Sequence, residues 1–175
     1  ILTEALDKNL DNKKQKPMLK SIKENVSIAQ ETMSDIIWSI SPKNDNWQDL
    51  VKRMQDFASD TLASQSIKFS LNTANFNFDT PLKMEKRQHL WRIYKEIITN
   101  IARHSHCKTA TIDLFNEDNK ITLAIEDDGQ GYDNSVLHNG NGLTNINSRS
   151  QQLNATVTNS SSPNGGCRWL ISFSN

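Results

Sequence analysis

The chain has 175 residues, of which 35% are hydrophobic, and its 20 basic residues balance 20 acidic ones. This length suits one domain of ordinary size with an accessory element. The balanced charge gives no indication of direct binding to nucleic acid. No apolar run approaches the roughly 18 residues that a membrane-spanning helix needs. We therefore expect membrane attachment only through sequence upstream of Ile1.

The first residue of the chain and its two cysteines indicate whether the chain is a fragment and where in the cell it is located. The sequence begins at Ile1, without Met and inside a helical pattern, so we expect a fragment of a longer protein. Cys107 and Cys167 form no CxxC pair and have no companion histidine spacing, which disfavours a zinc site and a disulfide framework. A cytoplasmic location is expected, either of a soluble protein or of the cytoplasmic part of a membrane-anchored one.

The N-terminal part has the periodicity of a packed helix. Apolar residues recur there at alternating spacings of three and four, which is the heptad pattern of a bundle or coiled coil. This seam consists of Leu19, Ile22, Val26, Ala29, Met33, Ile36 and Ile40. Ile1–Leu10 reads as the tail of a preceding helix and Asp11–Pro17 as a polar turn. Residues 1–43 are thus predicted to form a helical hairpin, half of a four-helix bundle. The alternative is an amphipathic helix that packs on the chain's own globular domain.

Residues 44–175 have the mixed periodicity of an α+β domain. Helices are predicted at Leu50–Ala63, Leu82–His104 and Gly142–Leu153. Strands are predicted at Ile67–Leu71, Thr109–Phe115, Lys120–Glu126, Thr156–Asn159 and Arg168–Phe173. The core stripe of the long helix would be Leu90, Ile93, Ile97 and Ile101. Helices and mostly antiparallel strands in this order predict a two-layer sandwich with the helices on one face of the sheet.

The long helix carries a polar stripe beside its apolar one. Arg92, Glu96, Asn100 and His104 follow each other at four-residue intervals. Asn100 can offer its side-chain oxygen to Mg²⁺, and Glu96 could orient or deprotonate a nucleophile. Arg103 or His104 could meet phosphate oxygens. The alternative is a solvated helix face with an ion pair between Arg92 and Glu96.

An acidic glycine turn, Asp127–Gly131, follows directly after a predicted strand. A carboxylate at the strand end can accept a hydrogen bond from the exocyclic amine of adenine, a donor that guanine lacks at that position. We assign this role to Asp127, while Gly129 and Gly131 remove side chains where the backbone must turn beside the base. The alternative is an ordinary turn, and a calcium loop at Asp128 is disfavoured because the later EF-hand ligands are missing.

A second glycine cluster, Gly140-Asn141-Gly142-Leu143, precedes a predicted helix. Backbone N–H groups at a helix start suit a polyphosphate, and glycine lets them approach it. Tyr132–Asn139, between the two clusters, could close over a nucleotide as a lid. The alternative is a glycine-rich loop with no ligand, and the chain has no Walker A sequence.

In this order the elements resemble the GHKL ATPase superfamily. Arg92–Ser105 resembles the N box of sensor histidine kinases that act with NarL-type or LytTR-type response regulators, and Asp127–Gly131 resembles their G1 box. Gly140–Leu143, with Asn145, Ile146 and Arg149, resembles the G2 box. Met33–Pro42 resembles the end of that family's second dimerisation helix.

The resemblance implies a Bergerat-type sandwich that binds ATP and Mg²⁺. It places Asn100 on the metal, Asp127 on adenine and Glu96 at the acidic catalytic position. The nucleotide-binding set that it implies is Asn100, Arg103, His104, Asp127, Gly129, Gly131, Gly140, Gly142 and Leu143. It further implies a homodimer through helices in residues 1–40. The γ-phosphoryl group of ATP would pass to a histidine and then to an aspartate in a response-regulator receiver domain.

The chain departs from this family pattern in two places. None of its four histidines, His89, His104, His106 and His138, lies in the bundle segment. The fragment is therefore expected to bind ATP without autophosphorylation, with the acceptor histidine upstream. Cys167 follows Gly166 where the family often has threonine, and a thiol is a poorer hydrogen-bond donor than a hydroxyl. The alternatives are a degenerate dimeric scaffold or nucleotide-binding module, and another GHKL ATPase or serine kinase.

Overall fold

The computed structural model describes residues 15–41, 46–117, 119–131, 141–162 and 165–174. The chain divides into two compact units, Ile1–Ser41 and Pro42–Asn175. The predicted helix tail Ile1–Leu10 lies outside the described residues, and the domain limits at residues 43 and 44 stay a prediction. None of the helices in the described ranges combines the length and apolar character needed to cross a bilayer.

The first unit contains helix α1, Gln15–Ile40. The polar turn predicted at Asp11–Pro17 is wrong at its end, because Gln15 to Pro17 form the first turn of the helix. Proline is tolerated there since the first N–H groups of a helix have no helical acceptor. Several apolar side chains of α1 are exposed, among them Met33, which is 62% exposed. Among the seam residues whose burial the structure describes, the exposed ones are Ile22, Val26, Ala29, Met33 and Ile36.

The second unit contains three further helices and five strands. The helices are α2 Trp47–Ala63, α3 Met84–Asn100 and α4 Asn141–Leu153. The strands are β1 Lys68–Asn72, β2 Thr109–Glu117, β3 Lys120–Asp127, β4 Thr156–Ser161 and β5 Cys167–Ser174. Each predicted helix and strand of this unit is confirmed in type and order, and the boundaries move by only a few residues. Helix α2 begins earlier than predicted, at a cap in which the Asn46 side chain accepts a hydrogen bond from the Asp49 N–H.

The strands form one sheet in the order β1-β2-β3-β5-β4. Strand β1 is parallel to β2, and the other neighbours are antiparallel. A parallel pair requires a crossover connection, which here contains α3. The predicted α+β class with mostly antiparallel strands is confirmed. Strands β3 and β5 are neighbours in this sheet. Their pairing places Asp127, at the end of β3, directly opposite Cys167, at the start of β5.

The core joins the buried stripe of α3 to one face of the sheet. The predicted stripe is confirmed, since Leu90, Ile93, Ile97 and Ile101 are all buried. Alternate residues are buried along β2 and β5, as expected where successive strand side chains point to opposite faces. The hydroxyl of Tyr94 donates to the Met54 carbonyl oxygen at 2.8 Å and ties α3 to α2. Burial raises the pKa of Tyr94, so this donor keeps its proton.

The long helix differs from its prediction at its C-terminal end. The pattern predicts one helix over Leu82–His104, but α3 ends at Asn100 and the chain continues as a π-helical turn, Ile101–Ser105. The Ser105 hydroxyl donates to the Ile101 carbonyl oxygen at 2.8 Å, and His106 adopts a left-handed backbone conformation that ends the turn. The spacing of apolar and polar side chains could not predict this change, because a single π-helical turn changes only how the backbone is wound. Such turns are frequent at functional sites.

Candidate functional site

A cavity of about 530 Å³ opens in the second unit where α3, the π-helical turn, β3, α4 and β5 meet. This volume lies within the range of small-molecule sites in proteins. The cavity is lined by Glu96, Ile97, Asn100, Ile101, Arg103, His104, Ser105, Asp127, Gln130, Gly131, Gly142, Leu143, Cys167 and Trp169. Eight of the ten predicted site residues are in this lining. Gly129 adjoins it, while Gly140 and the predicted lid Tyr132–Asn139 lie outside the described residues.

Asp127 is a buried carboxylate with one oxygen available to a ligand. Its side chain is 5% exposed, and Oδ1 accepts a hydrogen bond from the Gly129 N–H at 2.9 Å. Within the described part of the chain, Oδ2 has no hydrogen-bond partner. Burial is the main cause that raises the pKa of Asp127, because desolvation penalises the charged form. The cavity thus contains a strong acceptor that a hydrogen-bond donor on a ligand would satisfy.

The neighbouring carboxylate, Asp128, is used by the protein itself. It accepts hydrogen bonds from the N–H groups of Lys108 and Thr109 at 2.7 and 2.9 Å, and from the Thr109 hydroxyl at 2.8 Å. These bonds, those of Thr109 first, hold the pKa of Asp128 below its usual value. Asp128 therefore links the end of β3 to the start of β2. Because its oxygens are used in these bonds, Asp127 is the carboxylate available to bind a ligand.

The glycines of the acidic turn are required by close backbone packing. A Cβ atom at Gly129 would overlap the Ser105 carbonyl oxygen, and one at Gly166 would overlap that of Asp127. Gly166 has φ of 70° and donates its N–H to the Gly129 carbonyl oxygen at 3.0 Å. The sequence hypothesis places Gly129 and Gly131 beside a ligand. In the structure, their missing side chains first allow the turn to pack against the π-helical turn and against the backbone of Ser162 and Gly166.

The start of α4 lies on the polar stripe of α3. A Cβ atom at Gly142 would be 2.5 Å from Glu96 Oε1 and 3.6 Å from Asn100 Nδ2. Glu96 and Asn100 are half-buried and line the cavity. Two oxygen-bearing side chains and the N–H groups of a helix start thus share one end of the site. This arrangement suits an anionic ligand with a hard cation such as Mg²⁺.

Positive charge gathers next to Glu96. Burial lowers the pKa of Arg149, the nearby Arg92 lowers it further, and Glu96 acts in the opposite sense. Burial and the same two guanidinium groups also lower the pKa of His89, so this histidine stays neutral at pH 7. Among the described residues no ion pair joins Arg92 to Glu96, which leaves the alternative of a paired, solvated helix face without support.

Sequence reasoning missed six lining residues, namely Ile97, Ile101, Ser105, Gln130, Cys167 and Trp169. Gln130 closes the turn over the helix end, because its N–H donates to the Ser105 carbonyl oxygen at 2.8 Å and its amide to that of His104 at 2.9 Å. Trp169 and Cys167 come from β5 and reach the site through pairing with β3. Only strand pairing could have identified Trp169, whereas the family resemblance had already drawn attention to Cys167.

A family model described as histidine kinase-, DNA gyrase B- and HSP90-like ATPase matches residues 85–174. The chain belongs to this ATPase family. The matched range extends from the first turn of α3 to the end of β5, so it contains the whole cavity lining. The family predicted from the N, G1 and G2 boxes is confirmed.

The chain is also similar to sensor proteins. It is 37% identical over 93 residues to the sensor protein VraS of Staphylococcus aureus (strain COL), which covers 53% of this chain and 26% of that protein. The chain therefore matches only about a quarter of the length of this relative. Among solved structures, the Acinetobacter baumannii histidine kinase AdeS has a TM-score of 0.67 at 19% identity, covering 99% of this chain and 90% of that one. The histidine kinase domain of the Erythrobacter litoralis EL346 blue-light activated kinase has a TM-score of 0.57 at 16% identity, covering 71% and 60%. These structures share the fold.

Proposed function

We propose that this chain is the ATP-binding catalytic part of a two-component sensor histidine kinase. The observation that carries the proposal is the buried Asp127 carboxylate, with one unpartnered oxygen, in a cavity that also contains Glu96 and Asn100. Family membership and the likeness to a sensor protein support the same function. The Asp127 oxygen would accept the exocyclic amine of adenine, which selects ATP over nucleotides without that donor.

The polyphosphate would lie toward the start of α4. Gly142 and Leu143 bring backbone N–H groups to that end of the cavity, and Asn100 would contribute an oxygen to Mg²⁺. Bound there, Mg²⁺ neutralises charge on the β- and γ-phosphates. Arg103 and His104 line the cavity as exposed side chains and could contact phosphate oxygens as ATP enters.

Transfer of the γ-phosphoryl group requires positioning and charge stabilisation more than covalent help from the protein. Glu96 lies on α3 against the start of α4 and would orient or deprotonate the attacking imidazole. That imidazole belongs to an acceptor histidine outside this chain, and the phosphoryl group would then pass to a response-regulator aspartate. We also propose a cytoplasmic site of action.

Calorimetric titration with a non-hydrolysable ATP analogue tests the nucleotide site. We expect the chain to bind the analogue in a Mg²⁺-dependent manner. Asn100→Ala should reduce this affinity about tenfold or more, because it removes an oxygen ligand of the metal. Asn147→Ala, an exposed change on α4 outside the cavity lining, is the matched control and should bind as the unaltered chain does.

The same titration separates the kinase from the second candidate function, a dimeric scaffold with an idle pocket. Absence of binding under every condition would contradict the proposed kinase and favour the scaffold. Magnesium-dependent binding that survives in Asn100→Ala would remove Asn100 from the metal role and leave the nucleotide site in place.

The dimer proposed through residues 1–40 depends on the apolar seam of α1. Met33→Lys should place an unpaired charge in that interface and raise the dimer dissociation constant about a hundredfold or more. Ser27→Lys adds the same charge at an exposed position away from the seam and should leave the dimer intact. Analytical ultracentrifugation measures both variants. A Met33→Lys dimer of unaltered stability would show that the seam lies elsewhere.

A further inference from the structure

The cavity wall contains a thiol, that of Cys167. This residue begins β5, lines the cavity and is 8% exposed. It lies directly opposite Asp127 in the antiparallel pairing of β3 with β5. Opposite residues project from the same face of a sheet, with Cβ atoms about 4.5–5.5 Å apart. The thiol and the buried carboxylate are therefore immediate neighbours in the cavity.

One polar group beside the thiol, the Asp127 carboxylate, indicates a ligand site. Asp127 is more than nine-tenths buried, and its Oδ2 has no hydrogen-bond partner within the described residues. The Cys167 thiol donates a hydrogen bond to Asn159 Oδ1, with 3.7 Å between sulfur and oxygen, and Asn159 lies outside the cavity lining. Buried polar groups are rarely left unsatisfied, so a polar ligand beside Cys167 would bind the free oxygen of Asp127.

We propose that Cys167 is a covalent modification site for cavity ligands that carry an amine donor and, on a short linker, a soft electrophilic carbon. The amine would bind Asp127 Oδ2 and hold the electrophile against Sγ. With a chloroacetamide, the sulfur attacks the methylene carbon, a C–S bond forms and the C–Cl bond breaks. Chloride leaves with the electron pair, and the thiol proton passes to water. The adduct fills the cavity and excludes ATP, a consequence that rests on the proposed function.

The second cysteine provides an internal comparison. Cys107 is buried outside the cavity lining, and burial, with Asp127 and Asp128 nearby, raises the pKa of its thiol. Positioning beside a bound electrophile raises the effective concentration of that group at Cys167. Ligand-directed modification should therefore select Cys167 over Cys107.

Peptide mass spectrometry of the full chain tests the proposal. The probe is adenine with a chloroacetamide arm, and the undirected reagent is chloroacetamide itself. We expect the adenine probe to modify Cys167 about tenfold faster or more than chloroacetamide does. Cys107→Ser should be labelled as the unaltered chain is, and Cys167→Ser should gain no adduct. Equal rates for the two reagents, or preferential labelling of Cys107, would overturn the proposal.

Protection by nucleotide separates this inference from the proposed function. Prior addition of a non-hydrolysable ATP analogue with Mg²⁺ should slow the labelling of Cys167 about tenfold. Fast labelling without protection would support the modification site and contradict the nucleotide site. Calorimetric binding of the analogue without directed labelling would overturn the modification site and leave the nucleotide site standing. Peptide mapping of the unaltered chain identifies the labelled cysteine, so the proposal is tested even if a variant fails to fold.

Discussion

Asp127→Asn should weaken binding of an ATP analogue about 10- to 100-fold while leaving binding of a GTP analogue unchanged or stronger. In the variant, an amide oxygen can still accept the Gly129 N–H that Oδ1 accepts at 2.9 Å. The amide N–H₂ then faces the cavity, where it opposes the exocyclic amine of adenine but can donate to the carbonyl oxygen of guanine. Competition between the two analogues, measured by calorimetry, gives the change in preference.

Two further measurements test whether Asp127 itself recognises adenine. Because burial raises the pKa of Asp127, a neutral amide should leave the urea midpoint of unfolding unchanged or higher at pH 7. ATP affinity of the unaltered chain should fall on acidification from a pH above the usual aspartate value near 4, and the variant should lack this fall. Glu126→Gln, an exposed change one residue away, is the matched control. Unaltered base preference in Asp127→Asn would remove Asp127 from the adenine role.

Gly166→Ala should lower the free energy of unfolding by about 2–4 kcal/mol. The added Cβ would overlap the Asp127 carbonyl oxygen, and the left-handed backbone with φ of 70° is unfavourable for alanine. The obstructing atom belongs to the backbone of β3, so relief would require the two strands to separate where they hold the site. Urea denaturation followed by circular dichroism measures the loss.

Gly165→Ala is the matched control for this change. A Cβ there would meet the Ser162 hydroxyl, the end of an exposed side chain that can rotate away. Its effect should stay below about 1 kcal/mol. Equal stability of the two variants would show that the contact between Gly166 and Asp127 is not needed to hold β5 against β3.

Local sequence pattern was sufficient to predict much of the second unit, Pro42–Asn175. The apolar stripe of α3 and the polar stripe beside it follow from the geometry of a helix, which repeats whatever the chain packs against. The same holds for the alternation along β2 and for the acidic glycine turn at the end of β3. Eight of the ten predicted site residues consequently line the cavity.

Only the tertiary structure distinguished the environments of the two neighbouring aspartates, Asp127 and Asp128. Asp127 and Asp128 are identical neighbours in sequence, yet burial raises the pKa of one and hydrogen bonds to β2 lower that of the other. The difference depends on which groups the fold brings near each carboxylate.

By itself, the sequence determined the order of elements, the family boxes and the side chains available for chemistry, because these depend on local spacing. Only the tertiary structure placed β5 beside β3 and so brought Cys167 and Trp169 into the cavity. It also ended α3 in a π-helical turn and set Gly142 against Glu96. These features arise from contacts between segments far apart in the chain, and the spacing within any one segment carries no information about them.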